Sequence, residues 1–531
     1  EFIITSTDFP DYIIVIECKA DLAFHASKNL NDPTKYNLDG ALHYSDFLSK
    51  EYNVISIAIT GTKKTNLLVS IYSQLKNSEK KLLKNNKGKE IKNLVSFEDF
   101  VELGGYNEED TKAKLEDILL YSRKLDKFLR EDAKLTEQQK PLAICGVLLA
   151  LKNDNFRKNF NKFSIQKIPN EWMKALSEEL DISRIPNIKK SNLLNQFKIL
   201  KEHPQFIRKS KKYSNGAFFT LISEIRTKVF PYIDVLKNHD ILGSFFNEFL
   251  KYSGGDKQSF GVVLTPHHIT SFAAKLAELD VNTKVIDTCC GTGGFLVAAM
   301  NEMSSKAESK SDIKKILSQN IIGCEDLPEM FTLAVGNMIL RGDGKSNIYQ
   351  GDCFDEEIKK TLSSHKPDVG LINPPFSQAG DNLKELDYIL NILDIVKKGG
   401  IVIGILPLNV INTDIELKRE ILTNHTLLAS FSLPNQLFYP VGTVTSILVL
   451  KAKIPHPNNF KTWLAYAKDD GFELKVHRGR RDFENKWNSI EKNWLDLFIN
   501  REEKKGFSLL KELSYGDEWC IEPYMETDYE N

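Results

Sequence analysis

Two adjacent prolines close the apolar run Val369-Gly370-Leu371-Ile372, in the string Asn373-Pro374-Pro375-Phe376. Neither proline has a backbone N–H, so no sheet ladder continues through them and the run must be a strand that stops there. What projects past the strand end is a rigid stub carrying an amide side chain, two free carbonyls and an aromatic ring. A flat heterocycle with an exocyclic amine suits such a stub. The amine donates to the Asn373 side-chain oxygen and the Pro374 carbonyl, and Phe376 stacks on the ring. A plain strand ending in a proline turn is the competing reading, and the surrounding chain separates the two.

From Gly255 onward, strand-like segments alternate with helical ones, which implies a parallel sheet with crossover helices. Lys284-Val285-Ile286-Asp287 reads as a buried strand leading into Thr288-Cys289-Cys290-Gly291-Thr292-Gly293-Gly294-Phe295. The glycines let backbone approach a ligand closely, and a helix begins there. The spacing is G-x-G-G, not the G-x-G-x-x-G of dinucleotide folds, and Gly344-Lys345-Ser346 lacks the earlier glycine of a P-loop. Ile321–Cys324 then ends in Glu325-Asp326, and Asn347–Gln350 ends in Gly351-Asp352-Cys353-Phe354. Ligands of open α/β sheets lie beyond the carboxyl ends of the strands, near a topological switch. Each of these strand ends, with Asn373, is therefore expected at one rim.

These strings together closely resemble the class I S-adenosylmethionine-dependent adenine-N6 DNA methyltransferases, over about residues 255–470. The resemblance implies an α/β, Rossmann-like core and S-adenosylmethionine as cofactor. It further implies that Thr265-Pro266 contacts the methionine carboxylate and that Asp287 with Gly291 and Gly293 cradles the methionine moiety. By the same resemblance Glu325 takes the ribose hydroxyls, Asp352 reads the adenine amine and Phe354 packs on that ring. Phe438 would close over a flipped target base. The family often carries Asp-Pro ahead of its glycine turn; Thr288-Cys289 is a modest departure.

At the other end, Glu1-Phe2-Ile3-Ile4-Thr5 and Tyr12–Lys19 are strand-like segments around a turn composition. A hairpin with 7–11 as its loop pairs positions summing to eighteen, setting Glu1 opposite Glu17. Opposed residues have Cβ atoms about 5 Å apart, within reach of one metal ion, and Lys19 shares the face of Glu17. Two carboxylates and a lysine can hold Mg²⁺ and stabilise charge at a scissile phosphate. This segment resembles PD-(D/E)xK nucleases, with Glu1 as first acid and Glu17-Cys18-Lys19 as the ExK. Tyr36–Leu48 looks like the helix that covers such a site. An E-x-K on a strand also arises by accident, so a purely structural segment stays open.

The expected organisation is a partial nuclease-like α/β unit over 1–77, a lysine- and asparagine-rich linker over 78–94 and a helical bundle over 95–250. The methyltransferase core over 255–470 follows, then a C-terminal extension over 471–531. Within the helical region, Leu115, Ile118, Leu119, Leu125, Phe128 and Leu129 fall on one stripe, and Pro141–Leu151 reads as a buried helix. Lysines between Lys189 and Lys212 interleave with Phe197, His203 and Phe206, a pattern shared by DNA-tracking surfaces and solvated helix faces.

A chain of 531 residues with net charge −1 needs several cores, and its charge neither requires nor excludes nucleic acid. No apolar run approaches the roughly eighteen residues of a membrane span. The seven cysteines contain no CxxC pair and read as small buried residues in a reducing cytoplasm. The chain opens on Glu1 inside a strand-like segment, as a trimmed chain would.

The whole arrangement looks like the fused restriction–modification subunit of type IIB and IIG enzymes, related to type I modification subunits. Double-stranded DNA is then the expected partner, with sequence specificity from a target-recognition domain or subunit outside this sequence. A modification-only enzyme with an inactive nuclease segment, a protein-glutamine methyltransferase and a nucleotide-binding scaffold are the alternatives.

Overall fold

The computed structural model describes the chain except residues 1, 7–11, 77–78, 86–88, 105–107, 210–211, 234–239, 251–263, 343–346, 377–382, 440–441, 476–478 and 526–531. It divides into two compact units, Glu1–Glu116 and Asp117–Asn531, the boundary falling within the helix Glu108–Glu131. No helix among the described residues is long and apolar enough to cross a membrane.

In the first unit β1 (Phe2–Thr5), β2 (Tyr12–Lys19), β3 (Asn53–Thr60), β4 (Leu68–Gln74) and β5 (Lys80–Leu82) form one sheet in that order. β1 and β2 pair antiparallel from Phe2↔Ile16 to Thr5↔Ile13, the expected register. β2 and β3 run parallel, and the helix Asn37–Leu48 between them packs on both. Ile14, Ile55, Ile57 and Ile71 bury one face against Phe100 of the helix Phe97–Gly104, while Leu38, Leu42 and Ala58 pack on the other. Burial on both faces is why these strands are nearly continuous apolar runs.

Two expected boundaries shift. Residues 80–82, placed in a polar linker, pair with β4; their lysines suit a strand at a sheet edge, where charge discourages further pairing. The helix Phe97–Gly104, placed with the helical bundle, completes the core of the first unit. Hydrophobic periodicity locates a helix but not the sheet it covers.

The second unit is built on nine strands: β6 (Val285–Asp287), β7 (Ile321–Glu325), β8 (Asn347–Gln350), β9 (Val369–Ile372), β10 (Ile401–Pro407), β11 (Thr426–Ser432), β12 (Thr445–Lys451), β13 (Lys461–Tyr466) and, last in the chain, the strand Ser508–Glu512. Their order from one edge is Ser508–Glu512, β13, β11, β12, β10, β9, β6, β7, β8. β8, β7, β6, β9 and β10 are mutually parallel; β12 is antiparallel to β10. The chain runs outward from β6 to β8 and returns to β9 on the other side of β6, so a topological switch lies between β6 and β9.

The helices ahead of this sheet belong to the same unit. Residues 140–151 of the helix Gln139–Lys152 are all buried, as expected of that apolar run. Lys140 is tolerated there because Asp126 and Glu137 lie 2.7 and 2.6 Å from its ammonium. Lys152 donates to the Ile339 carbonyl at 3.0 Å, joining this helix to Pro328–Leu340 of the core. Phe197 and Phe206 are core residues, edge-on to Trp172 and stacked on Phe218 respectively, so neither ring is available to a base. The described residues after 470 are likewise integral: Ser508–Glu512 extends the sheet, Trp519 is fully buried, and Asp470 binds both His268 and Arg480.

Candidate active site

The carboxyl ends of β6, β7, β8 and β9 open into one cavity of about 360 Å³, within the roughly 300–1,000 Å³ range of small-molecule sites. After β6 the chain turns tightly through Gly291 (φ +54°) and Gly293 (φ +89°), which caps the helix Gly294–Ser304. Both lie in the left-handed region where a side chain is strained. Glu325, at the end of β7, accepts from the Gly291 N–H at 2.8 Å and the Leu327 N–H at 3.0 Å. Asp352, after β8, accepts from the Phe354 N–H at 2.9 Å. The Asn373 Nδ2 donates to Thr265 Oγ1 at 3.1 Å, tying the proline stub to the segment ahead of the helix His267–Leu276.

Thr265, Asp287, Gly291, Glu325, Asp352, Asn373, Pro374 and Phe376 all line this cavity, so strings more than a hundred residues apart meet as expected. Gly293, Phe354 and Phe438 do not line it. Gly293 shapes the turn from behind. Phe354 lies edge-on behind Tyr388, ring centroids 4.9 Å apart at 78°, and it is Tyr388 that lines the cavity there. Phe438 sets itself perpendicular to Phe376, 5.9 Å away at 88°. Of the described lining residues that escaped sequence reasoning, two bear on the chemistry, Tyr388 and Asp240. Tyr388 has no local signal, being one residue on the helix Glu385–Ile395. Asp240 has one: it precedes an apolar helix, Ile241–Leu250, and accepts from the Gly243 N–H at 2.7 Å as an N-cap does.

Electrostatically the cavity is one-sided. Asp240, Asp287, Glu325, Asp326 and Asp352 line it, with no Lys, Arg or His among the described lining residues. Burial pushes Asp287 up to about 8, opposed by the Cys289 N–H and reinforced by the negative field of Glu325. Burial likewise raises Glu325. Carboxylates crowded into low dielectric resist ionisation and favour a cationic ligand.

In the first unit, Glu17 is buried beneath the helix Asn37–Leu48, where a side chain at Gly40 would collide with its carboxylate. That close approach is why the helix carries glycine there. Lys19 donates to the carbonyls of Lys35 at 2.8 Å and Thr34 at 3.2 Å. Glu1 lies outside the described residues. Of the expected ligand pair, Glu17 alone is therefore described; among the described residues no group of three or more His, Cys, Asp or Glu side chains is placed to hold a metal ion.

Sheet order, glycine turn and strand-end groups define a methyltransferase-type α/β core. The N-6 DNA methylase family matches residues 237–515, and the chain belongs to that family: it is an adenine-N6 DNA methyltransferase related to type I and type II modification subunits. A curated relative, the type II restriction enzyme and methyltransferase RM.BcgI of Heyndrickxia coagulans, is 30% identical over 474 residues, covering 84% of this chain and 72% of that protein. The methylase subunit of the type I restriction enzyme EcoEI of Escherichia coli is 24% identical over 294 residues, 50% of this chain and 57% of its own length. Among solved structures, the type I methyltransferase subunit from Streptococcus thermophilus shares the fold at TM-score 0.54 and 15% identity, covering 79% of this chain and all of that one. A type I modification subunit from Vibrio vulnificus does so at TM-score 0.50 and 17% identity, covering 75% and 92%.

Proposed function

We propose that this chain transfers the methyl group of S-adenosylmethionine to N6 of an adenine flipped out of a specific DNA sequence. We propose also that its first unit cleaves DNA with Mg²⁺, making it a fused restriction–modification subunit of the type IIB/IIG kind. The carrying observation is the acidic cavity at the switch point with Asn373-Pro374-Pro375-Phe376 at its rim. A cavity lined by carboxylates without a described cation fits a ligand bearing a sulfonium and an ammonium. When bound, that cofactor supplies an electrophilic methyl on a cationic sulfur.

The chain's own groups do the rest. Adenine's exocyclic nitrogen is a poor nucleophile because its lone pair is delocalised into the ring. Acceptance of its two hydrogens by Asn373 Oδ1 and the Pro374 carbonyl favours a pyramidal nitrogen and offsets the positive charge that develops there. Neither group titrates, so this is positioning and transition-state electrostatics, with the proton leaving to solvent after transfer. Phe376 supplies a stacking face. Its perpendicular contact with Phe438 leaves no room for a ring between them, so a flipped base must part the two.

The nuclease reading rests on the β1–β2 register, on Glu17 under its covering helix, and on kinship with RM.BcgI, a restriction enzyme and methyltransferase matched over 84% of this chain. Specificity is assigned to a target-recognition domain or subunit beyond this sequence. The test incubates the protein, together with that element, with labelled S-adenosylmethionine and DNA, RNA or protein acceptors, with and without Mg²⁺. Label on N6 of DNA adenine without metal, and plasmid cleavage only with it, are expected. Label in protein alone would replace this reading with a protein-glutamine methyltransferase, and methylation without cleavage would leave a modification-only enzyme.

A further inference from the structure

Among the described lining residues Asp240 is the one acid that comes from the helical region rather than from a strand end. Its Oδ1 accepts from the Gly243 N–H and from Asn337 Nδ2, each at 2.7 Å, and its Oδ2 accepts from Thr292 Oγ1 at 2.7 Å. Asn337 is fully buried and its Nδ2 also donates to the Thr292 carbonyl at 2.8 Å. Arg341 in turn donates to the Asn337 carbonyl at 2.8 Å. The carboxylate is thus held at the glycine turn by three buried donors, and it lines the cavity beside Thr270 and Gly294.

A carboxylate offers about four acceptor positions. Three are taken among the described residues, and the remaining one, on Oδ2, belongs to the oxygen held only by Thr292. Resting on the cofactor assignment above, with the roles the resemblance implies for Glu325 and Asp352, the adenosine half lies toward those two acids, which leaves the amino-acid half at the glycine turn. That half carries an ammonium. Of the acids that touch the turn, Glu325 already accepts from the Gly291 and Leu327 N–H groups and is given to the ribose by that assignment, which leaves Asp287 and Asp240. Asp287 is 1% exposed, accepts from the Cys289 N–H at 3.0 Å, and is held protonated by burial toward neutral pH. Asp240 is partly exposed, at the cavity wall.

We propose that Asp240 Oδ2 accepts a charge-assisted hydrogen bond from the cofactor's α-ammonium, so that a residue of the helical region completes the cofactor site of the sheet. The test is calorimetric titration of the full chain at neutral pH with two ligands. S-adenosylhomocysteine carries the ammonium; 5′-methylthioadenosine keeps the nucleoside and thioether without the amino-acid group. Asp240→Asn is expected to weaken S-adenosylhomocysteine tenfold or more, or at least about 1.4 kcal/mol, while leaving methylthioadenosine within about twofold. Asp240→Ser, whose hydroxyl can still cap Gly243, should show the same selectivity and serves if the asparagine variant fails to fold. Equal weakening of both ligands, weakening of neither, or a selective loss in Asp287→Asn but not Asp240→Asn would overturn the proposal. Failure of the unaltered protein to bind either ligand would overturn the cofactor assignment itself.

Discussion

Replacing Asn373 with alanine removes two interactions of different kinds, and their sizes separate. The Nδ2 donation to Thr265 is a neutral hydrogen bond of 3.1 Å, worth about 1 kcal/mol to the fold; in a unit this large that moves the thermal midpoint by roughly 1–2 °C. The Oδ1 acceptor proposed for the target amine acts where charge develops. Losing one such group costs roughly 10²–10³ in rate, or about 2.7–4 kcal/mol of barrier. Asn373 is not assigned to the cofactor, so S-adenosylhomocysteine affinity should stay within about threefold. Asn373→Asp keeps an acceptor and should fall between. The assay is single-turnover transfer of tritiated methyl to target DNA beside calorimetric binding of S-adenosylhomocysteine. A rate loss below about tenfold, or one explained by lost cofactor affinity, would refute the assignment.

Asp287 is raised to about 8 in the fold from 3.8 in a free chain. Stability from its retained proton is therefore full below the unfolded value and is lost as pH rises through about 8; the midpoint of the empty protein should fall over that window, less in Asp287→Asn, and identical pH slopes would contradict this. Trp519→Ala should cost about 3–5 kcal/mol in urea titration, because Trp519 is fully buried and its N–H groups reach Asn412 and Ser514; a loss below about 1 kcal/mol would show the C-terminal residues to be a detachable tail. Glu17→Ala, in a preparation that cleaves plasmid with Mg²⁺, should abolish cleavage and leave methyl incorporation without metal near normal. Undiminished cleavage would dispose of the nuclease assignment, and loss of methylation as well would make the first unit a structural part of the methyltransferase.

Local chemistry made much of the site legible in the sequence. Prolines end a ladder, glycines permit positive φ and apolar runs bury, so Ile372-Asn373-Pro374, Asp287 to Gly293 and Glu325 announce strand ends without any partner being known. The hairpin register of β1 and β2 was legible for the same reason, since a turn and a period of two leave one pairing. What only the tertiary structure decided is which elements share a core and which side chains face a common space. The strand Lys80–Leu82 extends the first sheet, the helix Phe97–Gly104 completes its core, and the strand Ser508–Glu512 extends the sheet of the second unit. Polar composition reports exposure, not pairing, and one edge strand can be both polar and bonded. That Tyr388 lines the cavity while Phe354 packs behind it, and that Asp240 sits at the glycine turn, depend on helix packing across long sequence separations. A cavity is the space left between packed elements, and no local pattern encodes that space.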